Sequence, residues 1–521
     1  MPELGLDLHA ASRVASSETY GDWYRDPWGW PELSPEFVST LSVNDLGLNQ
    51  TGRRGLIDRP AFHVFSFPKS FVGVRPAVIM DPRARLLFTS AALSVSTVLQ
   101  RDLPDWVFGW RQRDGVLSTN EWDLYRESQA VIGHSPHAAQ SDITSFFSSI
   151  NTERLIDILR ETCGSIAPVD IVEDVLTAHS LLSSRSGLPQ RSMASSLLAH
   201  VAMREVDDLL ASEISAGRLT SARRWMDDIT FEGGEPELYG AFVLLQEHGR
   251  KVGLEINTSK TKVTTGAESA AILEREAQRL IRVPRFDGAL RDEYGDLFTT
   301  FVTESELDAA EDSILSEPTK AVRTEVGLVV KSLTHYAQYD RVAEWMRQAK
   351  YLPHAADHVS RYIAKAGRES ILFPDPAQWF VGMQLNGWPH LEWVSAQHAL
   401  SVSSDQIDGD TSRILHHWLE YSTSLQQVAV AVQRLAISGT PSVRTAITNR
   451  IDRTNDPLIT RLLALGLLMA AGSRRQVTNA LARHPSNTLI LKQLSDVGWR
   501  LPTSALDFDP AASPNRAAEG Q

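Results

Sequence analysis

Ser221-Ala222-Arg223-Arg224-Trp225-Met226-Asp227-Asp228-Ile229-Thr230-Phe231-Glu232-Gly233-Gly234 is the stretch on which the reading of this chain turns. Two adjacent carboxylates stand between an arginine-led run and a β-prone run that closes on two glycines. The pattern predicts a β-hairpin with the aspartates at its turn. A hairpin tip holds paired carboxylates outward and rigidly, and hard divalent cations prefer such oxygen donors. Asp-Asp pairs also occupy ordinary solvated turns, so this stretch by itself leaves both readings open.

Other stretches change the balance. Ser141-Asp142-Ile143-Thr144-Ser145-Phe146-Phe147 places an aspartate at the end of a short strand-like run, and a helix-like segment, NTERLIDILRE, follows. Gly187-Leu188-Pro189-Gln190-Arg191 leads into a strong helical pattern, SSLLAHVAMREVDDLL. After the hairpin come another amphipathic pattern, LYGAFVLLQEHGRKVGL, and the run Glu255-Ile256-Asn257-Thr258-Ser259-Lys260-Thr261-Lys262. Four elements in this order resemble the palm motifs A, B, C and D of reverse transcriptases. Asp142 matches the aspartate of motif A and Gly187 to Gln190 the GxPQ of motif B. Trp225 to Asp228 match the YxDD of motif C, and Lys260 matches the lysine of motif D.

The resemblance implies nucleotidyl transfer, an in-line displacement at an α-phosphorus. Two magnesium ions, with manganese as a substitute, hold the attacking and leaving oxygens in such chemistry. Asp142 and Asp227 would bridge both ions, with Asp228 in support and Ile143 completing the metal set. Without metal, carboxylates this close raise one another's pKa. Lys260 would stand near the leaving pyrophosphate as a positive charge and proton donor; on its own surroundings it also reads as a solvated loop lysine. Phe147, five residues past Asp142, matches the bulky aromatic that fills the space of a ribose 2′-hydroxyl, which makes deoxynucleotides the implied substrate. Strand alternation would put Phe146 and Phe147 on opposite faces, leaving at most one for the site. The competing reading packs both in the core.

Upstream, FHVFSFPKSFVGVRPAVIMDPRARLLFTSAALSVSTVLQ resembles the fingers of the same family. Lys69 and Arg75 are the candidates for clamping the triphosphate, and a structural salt bridge is the alternative for each. Gln190 and Arg191 are candidate substrate contacts. Arg191 stands where motif B usually has glycine, Trp225 where motif C has tyrosine, and His200 where asparagine is usual. Altered use of a template and repacked neutral change are both open readings of these departures.

The 521 residues, 42% of them hydrophobic, are enough for two or three domains with ordinary cores. The lone cysteine, Cys163, excludes a disulfide framework and a cysteine-based zinc cluster. No N-terminal signal pattern is present, and the longest apolar run, LITRLLALGLLMAAG, is too short to span a bilayer. A protein of the bacterial cytoplasm without a membrane partner is expected. A net charge of −13 is unusual for a nucleic-acid enzyme, so basic character must be local. Arg111, Arg113, Arg223, Arg224, Lys260, Lys262 and the helically spaced Arg275, Arg279 and Arg282 are where it is sought.

From about residue 301 the texture changes to successive helical patterns of 10 to 16 residues with short breaks, from TKAVRTEVGLVVKSLTHYAQ to TLILKQLSDVGW. Helix pairs recurring roughly every 30 to 40 residues predict an irregular α-solenoid. The fold class expected is an α+β polymerase right hand, fingers and palm around an antiparallel sheet, followed by an all-α helical-repeat domain of HEAT-like solenoid type. The expected spans are an N-terminal segment (1–60), fingers and palm (61–265), a linker or thumb-like helix (266–300), the helical repeats (301–502) and a disordered tail (503–521).

A palm followed by a helical repeat resembles the bacterial abortive-infection group of phage-defence reverse transcriptases. The resemblance implies an RNA-directed DNA polymerase acting on deoxynucleoside triphosphates, as a homo-oligomer with a single-stranded DNA product and, where synthesis is templated, an RNA template. It further implies synthesis without a template and priming from a tyrosine hydroxyl. Tyr20 and Tyr24, in SSETYGDWYRDPWGWPEL, are the candidates for that nucleophile; packing with Trp23 and Trp28 is the competing reading. A templated retroelement-type enzyme and a catalytically silent palm used as a scaffold are the alternatives.

Overall fold

The computed structural model describes residues 4–21, 23–48, 57, 60–129, 135–182, 187–190, 192–269, 271, 290–291, 297–298, 303–369, 375–388 and 390–501. It divides into two compact units. The first comprises Met1–Ala15, Val38–Pro60 and Ala84–Ile281, and the second Ser16–Phe37, Ala61–Arg83 and Arg282–Gln521.

The first unit is built on a five-stranded sheet. Its strands are β1 (Val107–Phe108), β2 (His137–Ser141), β3 (Leu219–Trp225), β4 (Asp228–Gly233) and β5 (Lys262–Thr265). They lie in the order β1-β3-β4-β2-β5. The β3–β4, β4–β2 and β2–β5 pairs are antiparallel. The expected sheet was antiparallel throughout, but β1 runs parallel to β3, so the sheet is mixed. β1 holds the edge through the Arg224 N–H on the Trp106 carbonyl, 3.0 Å. β4 lies between two strands and buries every residue after Asp228, the polar Thr230 and Glu232 included.

Five helices of this unit bear on the site: α1 (Phe146–Ser149), α2 (Thr152–Cys163), α3 (Met193–Ala202), α4 (Arg204–Ser215) and α5 (Glu235–Lys251). Asn151 caps α2 by accepting the Arg154 N–H at 3.0 Å, and Gly164 at φ +78 ends it. α5 has Glu235 and Glu237 in its first turn and His248, Arg250 and Lys251 in its last, both favourable to the helix dipole. The pattern SSLLAHVAMREVDDLL, which reads as one helix, is two: the backbone breaks at Met203 (φ −89, ψ −3).

The second unit is helix-rich. Its helices are α6 (Glu304–Ser316), α7 (Arg323–His335), α8 (Val342–Gln348), α9 (Ala356–Glu369), α10 (Pro376–Leu385), α11 (Glu392–Ala399), α12 (Gly409–Tyr421), α13 (Leu425–Ala436), α14 (Pro441–Arg453), α15 (Pro457–Met469), α16 (Arg474–Leu481) and α17 (Thr488–Asp496). One row runs α7, α9, α11, α13, α15, each helix packed on the next; α10, α12 and α14 pack in sequence as a second row. α13 and α15 are buried on nearly every face. A Cβ on Gly466 of α15 would stand 2.0 Å from Val432 Cγ1 of α13, so glycine is what lets these two helices approach.

Two segments expected elsewhere belong to this unit. The hairpin of Phe62–Pro68 and Val74–Met80 packs Phe67 on Trp23, ring centroids 3.9 Å apart, and on Trp393 at 4.6 Å. Residues 16–37 carry Asp26 and Glu32, which pair with the buried Arg461 of α15 at 2.6 and 2.8 Å. The expected span 61–265 is therefore divided between the units. The proposed thumb-like span, with Arg275 and Arg279, and the tail from 503 lie almost wholly outside the described residues, as does Arg282. No helix among the described residues is long and apolar enough to cross a membrane.

Candidate active site

Asp142 follows directly on β2 and is buried. Its carbonyl accepts the Asn257 N–H at 2.7 Å, and the Thr144 N–H donates to the Glu255 carbonyl at 2.7 Å. These bonds flank an antiparallel bridge between Ile143 and Ile256. They use the groups on either side of Ile143, leaving its own carbonyl outside the bridge. The loop after α5 thus brings Asn257 and Lys260 to Asp142. Asn257 Nδ2 donates to Asp142 Oδ2 at 3.2 Å, and Lys260 Nζ stands 2.6 Å from the same oxygen.

The second carboxylate comes from the hairpin. Trp225 pairs with Asp228, so the turn is the two residues Met226 and Asp227, with Met226 in left-handed backbone at φ +53. Asp227 is the loop aspartate, whereas Asp228 is the first residue of β4 and is exposed. The Asp227 carboxyl lies within hydrogen-bonding reach of Asp142. Burial, then the charges of Asp228 and Asp142, push its pKa up to about 7. Lys260 is raised above the usual lysine value, first by its hydrogen bond to Asp142 and also by the charges of all three aspartates.

Among the described residues no three histidine, cysteine or carboxylate groups form a ready metal cage. The donor set nevertheless fits hard cations. Burial and the neighbouring aspartate charges disfavour an ionised Asp227, a cost that a cation beside it would offset, and in this structure the Lys260 ammonium stands on the Asp142 oxygen. Asp142, Asp227, Asp228 and the Ile143 carbonyl are the groups that would hold the metal.

The motif B loop docks beside this pair. The Leu188 N–H donates to the Phe147 carbonyl at 2.8 Å, and Gln190 Nε2 donates to Ser148 Oγ at 3.3 Å. Gly187 at φ +123 approaches so closely that a Cβ would meet the Phe147 carbonyl oxygen at 2.4 Å. Phe146 is buried and Phe147 half-buried, their rings 5.3 Å apart. The split between the two phenylalanines has a different cause from the alternation argued above, since both lie on the short helix α1, not on a strand. Arg191 lies outside the described residues.

Other expected site residues belong to the second unit. Lys69 is exposed at the turn of the Phe62–Met80 hairpin, and Arg75 of that hairpin lies over the Trp23 ring at 5.4 Å; both belong to the second unit. Tyr24 is buried there too, its hydroxyl donating to Asp26 at 3.2 Å. Burial, then the charge of Asp26, raises its pKa well above the usual tyrosine value, the reverse of what a nucleophile needs. The Tyr20 side chain lies outside the described residues.

The arginines sought as a local basic face are mostly spoken for. Arg111 is buried and donates to the carbonyls of Leu103, Pro104 and Val107. Arg113 pairs with Glu121, Arg223 is buried 3.9 Å from Glu232, and Arg224 is wholly buried on Asp207. Sequence reasoning missed the contact of Asn257 with Asp142 and the grouping of Arg224 and His200 with Asp207 behind the hairpin. For Asn257 a signal existed: it sits in a polar turn run three residues before Lys260. A cleft of about 380 Å³ lined by Asp105, Trp106, Phe108, Ile214 and Arg223, among others, takes in none of Asp142, Asp227 and Asp228.

A mixed sheet thus carries one of these carboxylates at a strand end and the other on the adjoining hairpin tip. Residues 68–352, more than half of the chain, match the family described as reverse transcriptase (RNA-dependent DNA polymerase), and the chain belongs to that family. Among solved structures it is similar to telomerase from Candida albicans in complex with a TWJ fragment of telomeric RNA, at 11% identity and a TM-score of 0.30. That match covers 60% of this chain and 64% of the telomerase chain. No curated protein matches the chain.

Proposed function

We propose that this protein is an RNA-directed DNA polymerase that adds deoxynucleotides at Asp142 and Asp227. The observation that carries the reading is the contact between these two carboxylates, with Lys260 on the Asp142 oxygen. Two magnesium ions, or manganese, would supply the charge that activates the attacking hydroxyl and steadies the leaving oxygen. A 3′-hydroxyl forms the new bond to the α-phosphorus, the bond to pyrophosphate breaks, and the hydroxyl proton passes to solvent. Asp142 and Asp227 would hold these ions, whose charge would orient the attacking hydroxyl against the phosphate. Lys260, paired with Asp142, would be the proton donor for the departing pyrophosphate, and Asp142 is among the residues that would hold the metal.

The Phe147 ring, half-buried and steadied by the Gly187–Gln190 loop, supports its role as the group that excludes a 2′-hydroxyl. Purified protein with magnesium is expected to incorporate labelled deoxynucleotides, and Phe147→Ala to admit ribonucleotides at about tenfold higher relative efficiency or more. Wild-type protein that uses both sugars equally would show that Phe147 only packs.

The two rows of packed helices support reading the second unit as a HEAT-like solenoid. The palm-plus-solenoid chain in turn supports a role in antiphage abortive infection, with oligomers that make DNA without a template. Product formed with template omitted is the expected result; strict dependence on an added RNA would favour the retroelement-type reading. The burial of Tyr24 on Asp26 weighs against it as the priming nucleophile and favours Tyr20 as the candidate.

A further inference from the structure

Met226, the residue immediately before Asp227, holds a left-handed backbone that non-glycine residues seldom adopt, so something must keep it there. Arg224 Nη1 donates to the Met226 carbonyl at 2.7 Å. The rest of that guanidinium is fixed from behind. Its Nε and Nη2 fork onto the Asp207 carboxylate at 2.7 and 2.6 Å, and Nη2 meets His200 Nδ1 at 3.3 Å. A guanidinium only donates, so Nδ1 accepts and the ring proton sits on Nε2. Burial, then Arg224 and Arg111, keep His200 neutral by holding its pKa well below the usual value. On the other flank, the Met226 N–H faces the Phe108 carbonyl at 3.5 Å. Gly109 leaves room there: a Cβ would stand 2.6 Å from Met226 Sδ.

We propose that Arg224 is a positioning residue: through the Met226 carbonyl, and with its fork set by Asp207 and His200, it fixes the direction in which Asp227 faces Asp142. The inference rests on the polymerase reading above. A buried ion pair adds little stability over well-packed apolar groups, so its use at this place fits geometry better than adhesion. Only a planar fork can hold a carbonyl, a carboxylate and an imidazole at once; a lysine ammonium cannot reproduce it. His200, one of the departures from the usual motif, is in this light the acceptor that completes the fork.

The test compares wild type with Arg224→Lys by two readouts, amide hydrogen exchange at Met226–Ile229 in metal-free protein and Mn²⁺ binding followed by electron paramagnetic resonance. Exchange at the tip is expected to quicken, and Mn²⁺ affinity to fall about tenfold, as for other groups that orient a metal ligand. The kcat should fall with the nucleotide KM little changed. Tip exchange and Mn²⁺ affinity both within about twofold of wild type would overturn the proposal. So would faster exchange with unchanged affinity, which would make Arg224 merely structural. If Arg224→Lys does not fold, Asp207→Asn keeps the shape, weakens the fork and is judged by the same comparison. Wild-type protein without saturable Mn²⁺ binding would instead overturn the polymerase reading, and the exchange result would still decide whether Arg224 holds the tip.

Discussion

Asp227→Ala together with Asp228→Ala is expected to lower deoxynucleotide incorporation by about a thousandfold or more, equivalent to roughly 4 kcal/mol of transition-state stabilisation. The loss should come without unfolding. Asp227 is held at a pKa of about 7 by burial and by the neighbouring aspartates, so in metal-free protein it is a source of strain. A carboxyl whose pKa is raised on folding adds most to stability below the ordinary carboxylate value and loses that contribution as pH rises through about 7. Removing it therefore leaves the metal-free variant at least as stable as wild type above neutral pH. Incorporation by the folded double variant at wild-type rates would remove these aspartates from the chemistry.

Arg461→Ala is expected to have the largest effect on stability, about 3–5 kcal/mol, because it leaves Asp26 and Glu32 buried without their cation. The loss should depend on pH. Burial already raises Asp26 to about 6 against the pull of Arg461, so its contribution is complete below the ordinary carboxylate value and lost as pH rises through about 6. Without Arg461 the carboxyl rises further, and the variant should fall further below wild type at pH 8 than at pH 5. Urea unfolding at the two pH values measures this. An equal, small loss at both would mean that the segment carrying Asp26 is not anchored by the pair.

The two predictions fall on parts of the molecule that were unequally legible in the sequence. The hairpin was legible from the β-prone runs on either side of the aspartates, although the turn expected at Asp227-Asp228 falls one residue earlier, at Met226-Asp227, with Asp228 already in the strand. Nine helical patterns after residue 301 each correspond to a helix. α10 and α11 were missed because PAQWFVGMQL and EWVSAQHA place apolar residues on most faces and show little 3.6-residue period. α6, which was also missed, is mostly acidic and polar, with a narrow apolar stripe. β1 was illegible for another reason: two residues have no period at all.

The arginines mark the limit of local reading. Arg223 and Arg224 sit in a charged run that looks solvent-facing, yet their partners Glu232 and Asp207 are set by the fold. Tyr24 was misjudged for the same reason. A polar, aromatic N-terminal stretch reads as free to move until Arg461, more than 400 residues away, is seen to hold Asp26 and Glu32. That Asp142, Asp227 and Lys260 come together was legible because their order and spacing carry the signal, whereas the partners of the buried arginines carry none.

Under the proposed function, Asp142 and Asp227 hold the cations on which nucleotidyl transfer depends. Anomalous diffraction from crystals of the protein soaked with Mn²⁺ and a deoxynucleoside triphosphate tests this most directly. The expected result is manganese bound by the Asp142 and Asp227 carboxylates, the triphosphate on the same ions, and Lys260 released from Asp142 Oδ2. Manganese found elsewhere, with Lys260 still on Asp142 and the two carboxylates empty, would contradict it.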